Sequence, residues 1–276
     1  QKRKIMKLNE LKLEVDYFEF DEKYYHKVNP TPLKNPKLVS FNPLACELIN
    51  LDVQECQTQE FIDFINGSKI LDGSTPFAMA YAGHQFGYFV PQLGDGRAIN
   101  LGSVNNWHLQ TKGSGLTRYS RRGDGRAVLR SSIREYIMSE AMYALGIPTT
   151  RVLGIIDSDS FAHREWEQES CAIVLRMSPS WIRVGTFEFF ARSRDKETIS
   201  QLADYVIKQS YPHLENEENK YEKMFYSLVD KTAELLAKWQ VYGFQHGVMN
   251  SDNFSVAGLT IDYGPYAFMD YFEKNS

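Results

Sequence analysis

Three side chains near the end of this 276-residue chain could hold a metal ion and move a proton. Asp252 and Asn253 stand side by side, and Asp262 follows ten residues after Asp252. A hard cation such as Mg2+ takes carboxylate and amide oxygens together with substrate phosphates, so Asn253 and Asp262 suffice as protein ligands. The same residues also suit ordinary turns, Asp252-Asn253 as a cap and Asp262-Tyr263-Gly264-Pro265 as a β-turn. Their order behind a long helical run favours the metal reading.

Phosphate chemistry is suggested elsewhere. From Lys112 to Arg134 there are seven basic residues and one acid, Asp124, interspersed with Gly113, Gly115, Gly123 and Gly125. Glycines let backbone approach a phosphate closely, and arginines offer forked donors to its oxygens; a solvated basic face is the plainer account. Arg176 and Arg183 are a second pair suited to phosphate, or alternatively two surface arginines. Glu135 has two open readings. It could pair with Lys112, or it could close a capping box over Ser132-Ile133-Arg134-Glu135.

The run His246-Gly247-Val248-Met249-Asn250-Ser251-Asp252-Asn253 followed by Asp262-Tyr263-Gly264 resembles the catalytic loop and metal motif of protein kinases, H-x-D-x-x-x-x-N and D-F-G. The position of the kinase catalytic Asp is held by Val248, while an acid stands beside the asparagine at Asp252. The metal site looks kept and the base moved. If Arg176 and Arg183 lie where adenine normally meets a kinase, ATP is expected to bind in reverse, terminal phosphates first.

The elements that must position these residues follow from local pattern. Strands are predicted over Arg97 to Gly102, Trp107 to Lys112, Arg151 to Ile156 and Cys171 to Arg176. A helix is predicted to open at Ser131 or Ser132, carry Ile133, Ile137, Ala141 and Leu145, and stop at Gly146-Ile147-Pro148. The chain reads as helical from Lys196, and Phe225 to Tyr242, with Leu228, Leu235, Leu236 and Trp239 on one face, leads into the His246 loop. Short helices are expected at Cys46 to Leu51 and Phe61 to Ile65, amid prolines at 30, 32, 36 and 43. No chemistry is expected there, only packing. Thr75 to Phe89 is small and aromatic, and its lone His84 reads as a packed, hydrogen-bonded histidine.

Composition bounds the function. Hydrophobic residues make up 43% and charged residues 24%, with a net charge of −4. That is ordinary for a soluble globular protein and unsuited to nucleic acid. Cys46, Cys56 and Cys171 form no C-x-x-C pair, which argues against zinc and for a reducing compartment. No apolar run reaches membrane-span length, and the basic start Gln1-Lys2-Arg3-Lys4 lacks a signal peptide's apolar stretch, so a cytoplasmic location off the membrane is expected.

From about Thr75 to Asp270 the chain resembles the selenoprotein O family of kinase-fold protein adenylyltransferases. The likeness runs through Gly94-Asp95-Gly96-Arg97, Lys112-Gly113-Ser114-Gly115, Arg122-Gly123-Asp124-Gly125-Arg126, Ser132-Ile133-Arg134-Glu135-Tyr136 and the runs ending at Asn253 and Gly264. The resemblance implies an α+β, kinase-like bilobal fold: an N-terminal extension over 1–75, a small lobe over 76–184 and the first part of a helical large lobe over 185–276. It implies transfer of AMP from flipped ATP to Ser, Thr or Tyr hydroxyls of proteins, with Mg2+ (or Mn2+). Gly94, Gly96, Arg97, Lys112, Asp124, Gly125, Arg176 and Arg183 would contact nucleotide, Asp252 would accept the proton, and Asn253 and Asp262 would bind metal. A mitochondrial location is expected instead if the source is eukaryotic. The alternatives are a conventional phosphotransferase and an inactive nucleotide-binding scaffold. Family members continue well beyond the D-Y-G region, in many cases to a cysteine or selenocysteine near the C-terminus. This sequence ends at Ser276, so a fragment is expected.

Overall fold

A computed structural model describes residues 4–164 and 167–271. The basic stretch at residues 1–3 and the end at 272–276 lie outside them. The described residues form a mixed fold with a large antiparallel sheet and six α-helices. In chain order these are β1 (Tyr25–Lys27), β2 (Lys37–Phe41), α1 (Pro43–Leu48), α2 (Gln59–Asn66), β3 (Phe77–Gln85), β4 (Tyr88–Gly94), β5 (Ala98–Val104), β6 (Trp107–Lys112), β7 (Ala127–Val128) and α3 (Leu129–Ala144). There follow β8 (Arg151–Asp157), β9 (Phe161–Arg164), β10 (Glu167–Ser178), α4 (Val184–Ala191), α5 (Lys196–Ser210), α6 (Lys220–Val241), β11 (Phe244–Gln245) and β12 (Ala267–Phe268). None of the described helices is long and apolar enough to cross a membrane.

The chain divides into two compact units. The first comprises residues 1–80, 93–137 and 151–178. Its sheet runs in the order β1-β3-β5-β6-β10-β8-β2. One face is covered by the N-terminal segments, α1 and α2, where Leu8, Leu11, Ile49, Phe61 and Ile65 pack on Ile99, Leu109, Leu153, Ile173 and Leu175. α1 starts at Pro43, earlier than Cys46, because Asn42 caps it by accepting from the Leu44 and Ala45 amides. Thr58 caps α2, and Gly67, at φ +79°, ends it. Cys46 and Cys56, far from a C-x-x-C pair in sequence, meet in this core with sulfurs 3.3 Å apart; both are free thiols.

The opposite face carries Val152, Ile155 and Val174, against which Leu129 and Tyr136 of α3 pack. Val152 and Ile155 share a face despite being three residues apart. The pairing of β8 with β10 slips between Leu175 and Arg176, leaving Leu153 as an extra residue that resets the alternation.

α3 departs from expectation in two ways. It opens at Leu129, and the Ser131 and Ser132 hydroxyls both turn back to donate to the Val128 carbonyl, at 3.0 and 2.9 Å. Its buried positions are Ser132, Glu135, Met138, Ser139 and Met142, whereas Ile137 and Leu145 are exposed. The apolar repeat marked a helix but not its inner face.

The second unit comprises residues 81–92, 138–150 and 179–276. Its core joins Met138, Met142 and Ile147 to Leu235 and Trp239 of α6 and to Phe244 and Tyr263. α5 is capped by Asp195, which accepts from the Glu197 amide. Of the α6 face read from sequence, Leu235 and Trp239 are buried and Leu236 is exposed.

Candidate active site

The segment that resembles a kinase catalytic loop is closed at its neck. β11 and β12 pair antiparallel, Phe244 with Phe268 and Gln245 with Ala267, so residues 246–266 form one loop zipped at both ends. Inside it, His246 stacks on the Trp239 indole, rings 5.4 Å apart and 12° from parallel. Its Nε2 donates to the Ile261 carbonyl at 2.7 Å, which ties the start of the loop to the residue before Asp262. His246 is therefore a brace and is 4% exposed.

Asp252 is held on one side only. Its Oδ2 accepts from Gln85 Nε2 at 2.9 Å. Its Oδ1 is buried with no hydrogen-bond partner among the described residues, an arrangement that costs stability unless something else comes to use it. The Asn253 amide nitrogen donates to the Val248 carbonyl at 2.9 Å, which leaves its oxygen as the acceptor turned elsewhere. Asp262 has a left-handed backbone, φ +55°, a conformation Asp tolerates better than most residues and one concentrated at functional sites.

Arg183 joins the two acidic positions. Its Nη1 donates to Asp262 Oδ2 and to the Asp252 carbonyl, each at 2.6 Å, and its guanidinium lies 4.6 Å from the Tyr81 ring centre. The chain puts it there by pairing Arg183 with Ser255 in an antiparallel bridge. α4 begins at the next residue, and its Gly185 has no room for a side chain: a Cβ would sit 2.1 Å from the Ala82 carbonyl oxygen and 3.3 Å from Asp252 Cα.

A second cluster lies wholly within the first unit. Glu135 on α3 takes two cations, Lys112 Nζ on Oε2 at 2.6 Å and Arg176 Nη1 on Oε1 at 2.9 Å. Glu135 and Arg176 are 3% and 2% exposed. Of the two readings open for Glu135, the capping box does not form: α3 opens at Leu129, so Ser132 lies inside the helix and not at its N-cap, and both Glu135 oxygens are on the cations. Arg176 also donates to Gln110 Oε1, Gln110 to Asn100 Oδ1 at 3.0 Å, and Asn100 to Asp95 Oδ2 at 2.9 Å. A buried polar chain thus crosses β10, β6 and β5. Sequence reading missed Asn100 and Gln110, although polar amides in otherwise apolar strands were the available signal.

Gly94 and Gly96 lie close against Tyr119, where a Cβ on Gly94 would come within 2.4 Å of the ring. Arg97 is exposed. Asp124 binds Arg164 with both oxygens, at 2.7 and 2.9 Å, and this pairing holds its carboxyl below the usual range. Gly125, at φ +71°, approaches Gly115 so closely that a Cβ would be 2.1 Å from its carbonyl oxygen. Close backbone contact explains these loop glycines without a ligand. Arg176 and Arg183, read together from sequence, belong to different clusters.

His84 is corrected. It is hydrogen-bonded, Nδ1 donating to Glu188 Oε1 at 2.8 Å, but it is not packed: its side chain is 60% exposed. Among the described residues no group of three or more His, Cys, Asp or Glu could hold a metal. One carboxylate and one amide oxygen are the donor set offered here, which suits a hard cation completing its shell with phosphate and water.

The family model described as protein adenylyltransferase SelO matches residues 7–276. The chain is 49% identical over 271 residues to the protein nucleotidyltransferase YdiU of Myxococcus xanthus (strain DK1622), covering 96% of this chain and 55% of that protein. It is likewise 49% identical over 271 residues to YdiU of Thiobacillus denitrificans (strain ATCC 25259 / T1), with the same coverage. With YdiU of Cupriavidus metallidurans (strain ATCC 43123 / DSM 2839 / NBRC 102507 / CH34) the identity is 50% over 262 residues, 92% of this chain and 48% of that protein. The chain spans about half the length of the curated relatives it matches. With the family match running over nearly its whole length, the chain belongs to the family of protein adenylyltransferase SelO.

Proposed function

We propose that this chain is the nucleotide-handling part of a kinase-like protein adenylyltransferase that moves AMP from ATP to Ser, Thr or Tyr hydroxyls of proteins. The observation that carries the reading is Asp252: a buried carboxylate with Oδ2 held by Gln85 and Oδ1 open, flanked by the Asn253 amide and the Arg183–Asp262 pair. Asn253 and Asp262 would hold a divalent cation, Mg2+ or Mn2+, and when bound it offsets charge on the reacting phosphate.

The hydroxyl oxygen of the protein substrate attacks the α-phosphorus. Its proton passes to Asp252 Oδ1 as the bond from the α-phosphorus to the α–β bridging oxygen breaks, and pyrophosphate leaves. ATP lies reversed, with Lys112, Arg176 and Arg183 toward the β- and γ-phosphates. Gly94, Gly96, Arg97, Asp124 and Gly125 line the nucleotide as the family resemblance implies. Lys112 and Arg176 meet at Glu135, and two cationic donors side by side suit an anion. Val248 at the kinase base position counts against phosphoryl transfer.

The test is to incubate the full-length protein with ATP labelled at the α- or the γ-phosphate. The α-label should become protein-bound and the γ-label should not. Protein-bound γ-label would restore a kinase, and binding of ATP with neither label transferred would leave a nucleotide-binding scaffold.

A further inference from the structure

We infer that Gln85 is a positioning residue for Asp252 and that the β3–β4 hairpin fixes the catalytic loop in its working geometry. The inference rests on Asp252 being the proton acceptor. Two successive hairpin residues engage two successive loop residues: the His84 amide donates to Ser251 Oγ at 2.7 Å, and Gln85 Nε2 donates to Asp252 Oδ2 at 2.9 Å. Glu188 on α4 locks the pairing, taking Ser251 Oγ on Oε2 and His84 Nδ1 on Oε1, both at 2.8 Å. The hairpin's two turn residues, Phe86 and Gly87, both have positive φ, +50° and +86°, as a tight type I′ turn requires. Such a turn sets the register that delivers residues 84 and 85 to the loop.

The chemistry of the contact is specific. A carboxylate torsion is broad and roughly two-fold, so an untethered Asp252 would present either oxygen in many orientations. Fixing Oδ2 leaves Oδ1, the buried oxygen without a partner, as the single defined acceptor. An amide is the right donor for the task. It orients the carboxylate without cancelling its charge, as a lysine or arginine would, and with the carboxylate able only to accept, the amide nitrogen must be the contacting atom.

The test uses the full-length protein, with turnover read as α-phosphate label transferred and ATP affinity read separately by titration. Gln85→Met keeps length and volume but has no donor; Gln85→Glu keeps shape, cannot donate and repels Asp252. Both should lower kcat by roughly 10- to 100-fold, the scale on which a misplaced catalytic group acts, with ATP affinity and KM within about two-fold. Gln85→Glu should be the more damaged. A Met variant with wild-type kcat would show that Gln85 only fills space and would overturn the inference. So would equal loss of kcat and ATP affinity, which marks general disruption. Asp252→Asn separates the two levels. If it stays active, or the wild type transfers no α-label, the base assignment fails and takes this inference with it. If it is inactive while Gln85→Met is fully active, only the role of Gln85 falls.

Discussion

Arg183 and Asp262 form an ion pair at 2.6 Å in which the guanidinium is 3% exposed and the carboxylate side chain 19%. A buried pair of this kind adds little over an apolar replacement of both partners, yet removing one strands the other. In a flipped nucleotide complex the same guanidinium would also read the terminal phosphates. Arg183→Ala is therefore expected to weaken ATP binding by about ten-fold or more, the loss of one charge-assisted bond of roughly 1.5 kcal/mol or above. AMP binding should change far less. Calorimetric titration with ATP, ADP and AMP decides it, and equal losses for ATP and AMP would remove the flipped model.

Glu135 is the shared partner of Lys112 and Arg176, so its loss is expected to cost more than the loss of either cation. Glu135→Ala should destabilise the fold by about 3 to 5 kcal/mol, the range for breaking a buried pair. Lys112→Met should cost less, because Arg176 keeps its carboxylate. Urea midpoints of the two variants provide the comparison, and a Glu135 variant as stable as Lys112→Met would contradict the shared-partner view.

Gly185→Ala should separate α4 from the loop that carries Asp252. The added methyl meets the backbone oxygen of Ala82, which cannot swing aside like a flexible side chain. We expect a loss of about 1 to 3 kcal/mol in stability, typical of overpacking, with turnover reduced beyond what the unfolded fraction explains. Denaturation alongside label transfer measures both.

His108 gives the fold an acid-sensitive component. Burial pushes its imidazole from an ordinary 6.5 down to about 4, and the nearby Asp16 carboxylate opposes that only in part. Between those values the unfolded chain binds a proton that the folded chain refuses. Stability from this group is therefore complete above about pH 6.5 and is lost as pH falls toward 4. His108→Gln should flatten the dependence of the thermal midpoint on pH in that window. A variant with an unchanged slope would show that other groups set it.

The sequence made legible what is local. Trp107 to Lys112 is a strand as read, the strands of β5, β8 and β10 were found with shifted or shorter bounds, and the linear run from His246 to Gly264 was enough to pick out the loop. What escaped were features whose cause is distant in sequence. The β3–β4 hairpin was not read as strands because Gly83, Gly87 and Pro91 dilute its pattern, and Gln85 finds Asp252 across a separation of 167 residues. α4 is a short phenylalanine-rich helix with no polar face to give it periodicity. The inner face of α3 is polar where the cation cluster sits, so an apolar repeat pointed to the wrong side.

The extra residue at Leu153 has a consequence for how this chain can change length. Because Leu153 is the residue skipped between Gly154 and Val152 in the pairing with β10, a deletion there would leave Gly154 opposite Leu175 and Val152 opposite Arg176, with every neighbour still on its own face. A deletion at Ile155 would instead turn one side of the strand inside out, burying what was covered by α3 among the residues packed under α1 and α2. Within β8, then, a deletion at Leu153 would cost the packing of one buried leucine but keep the register of the strand that carries Arg176.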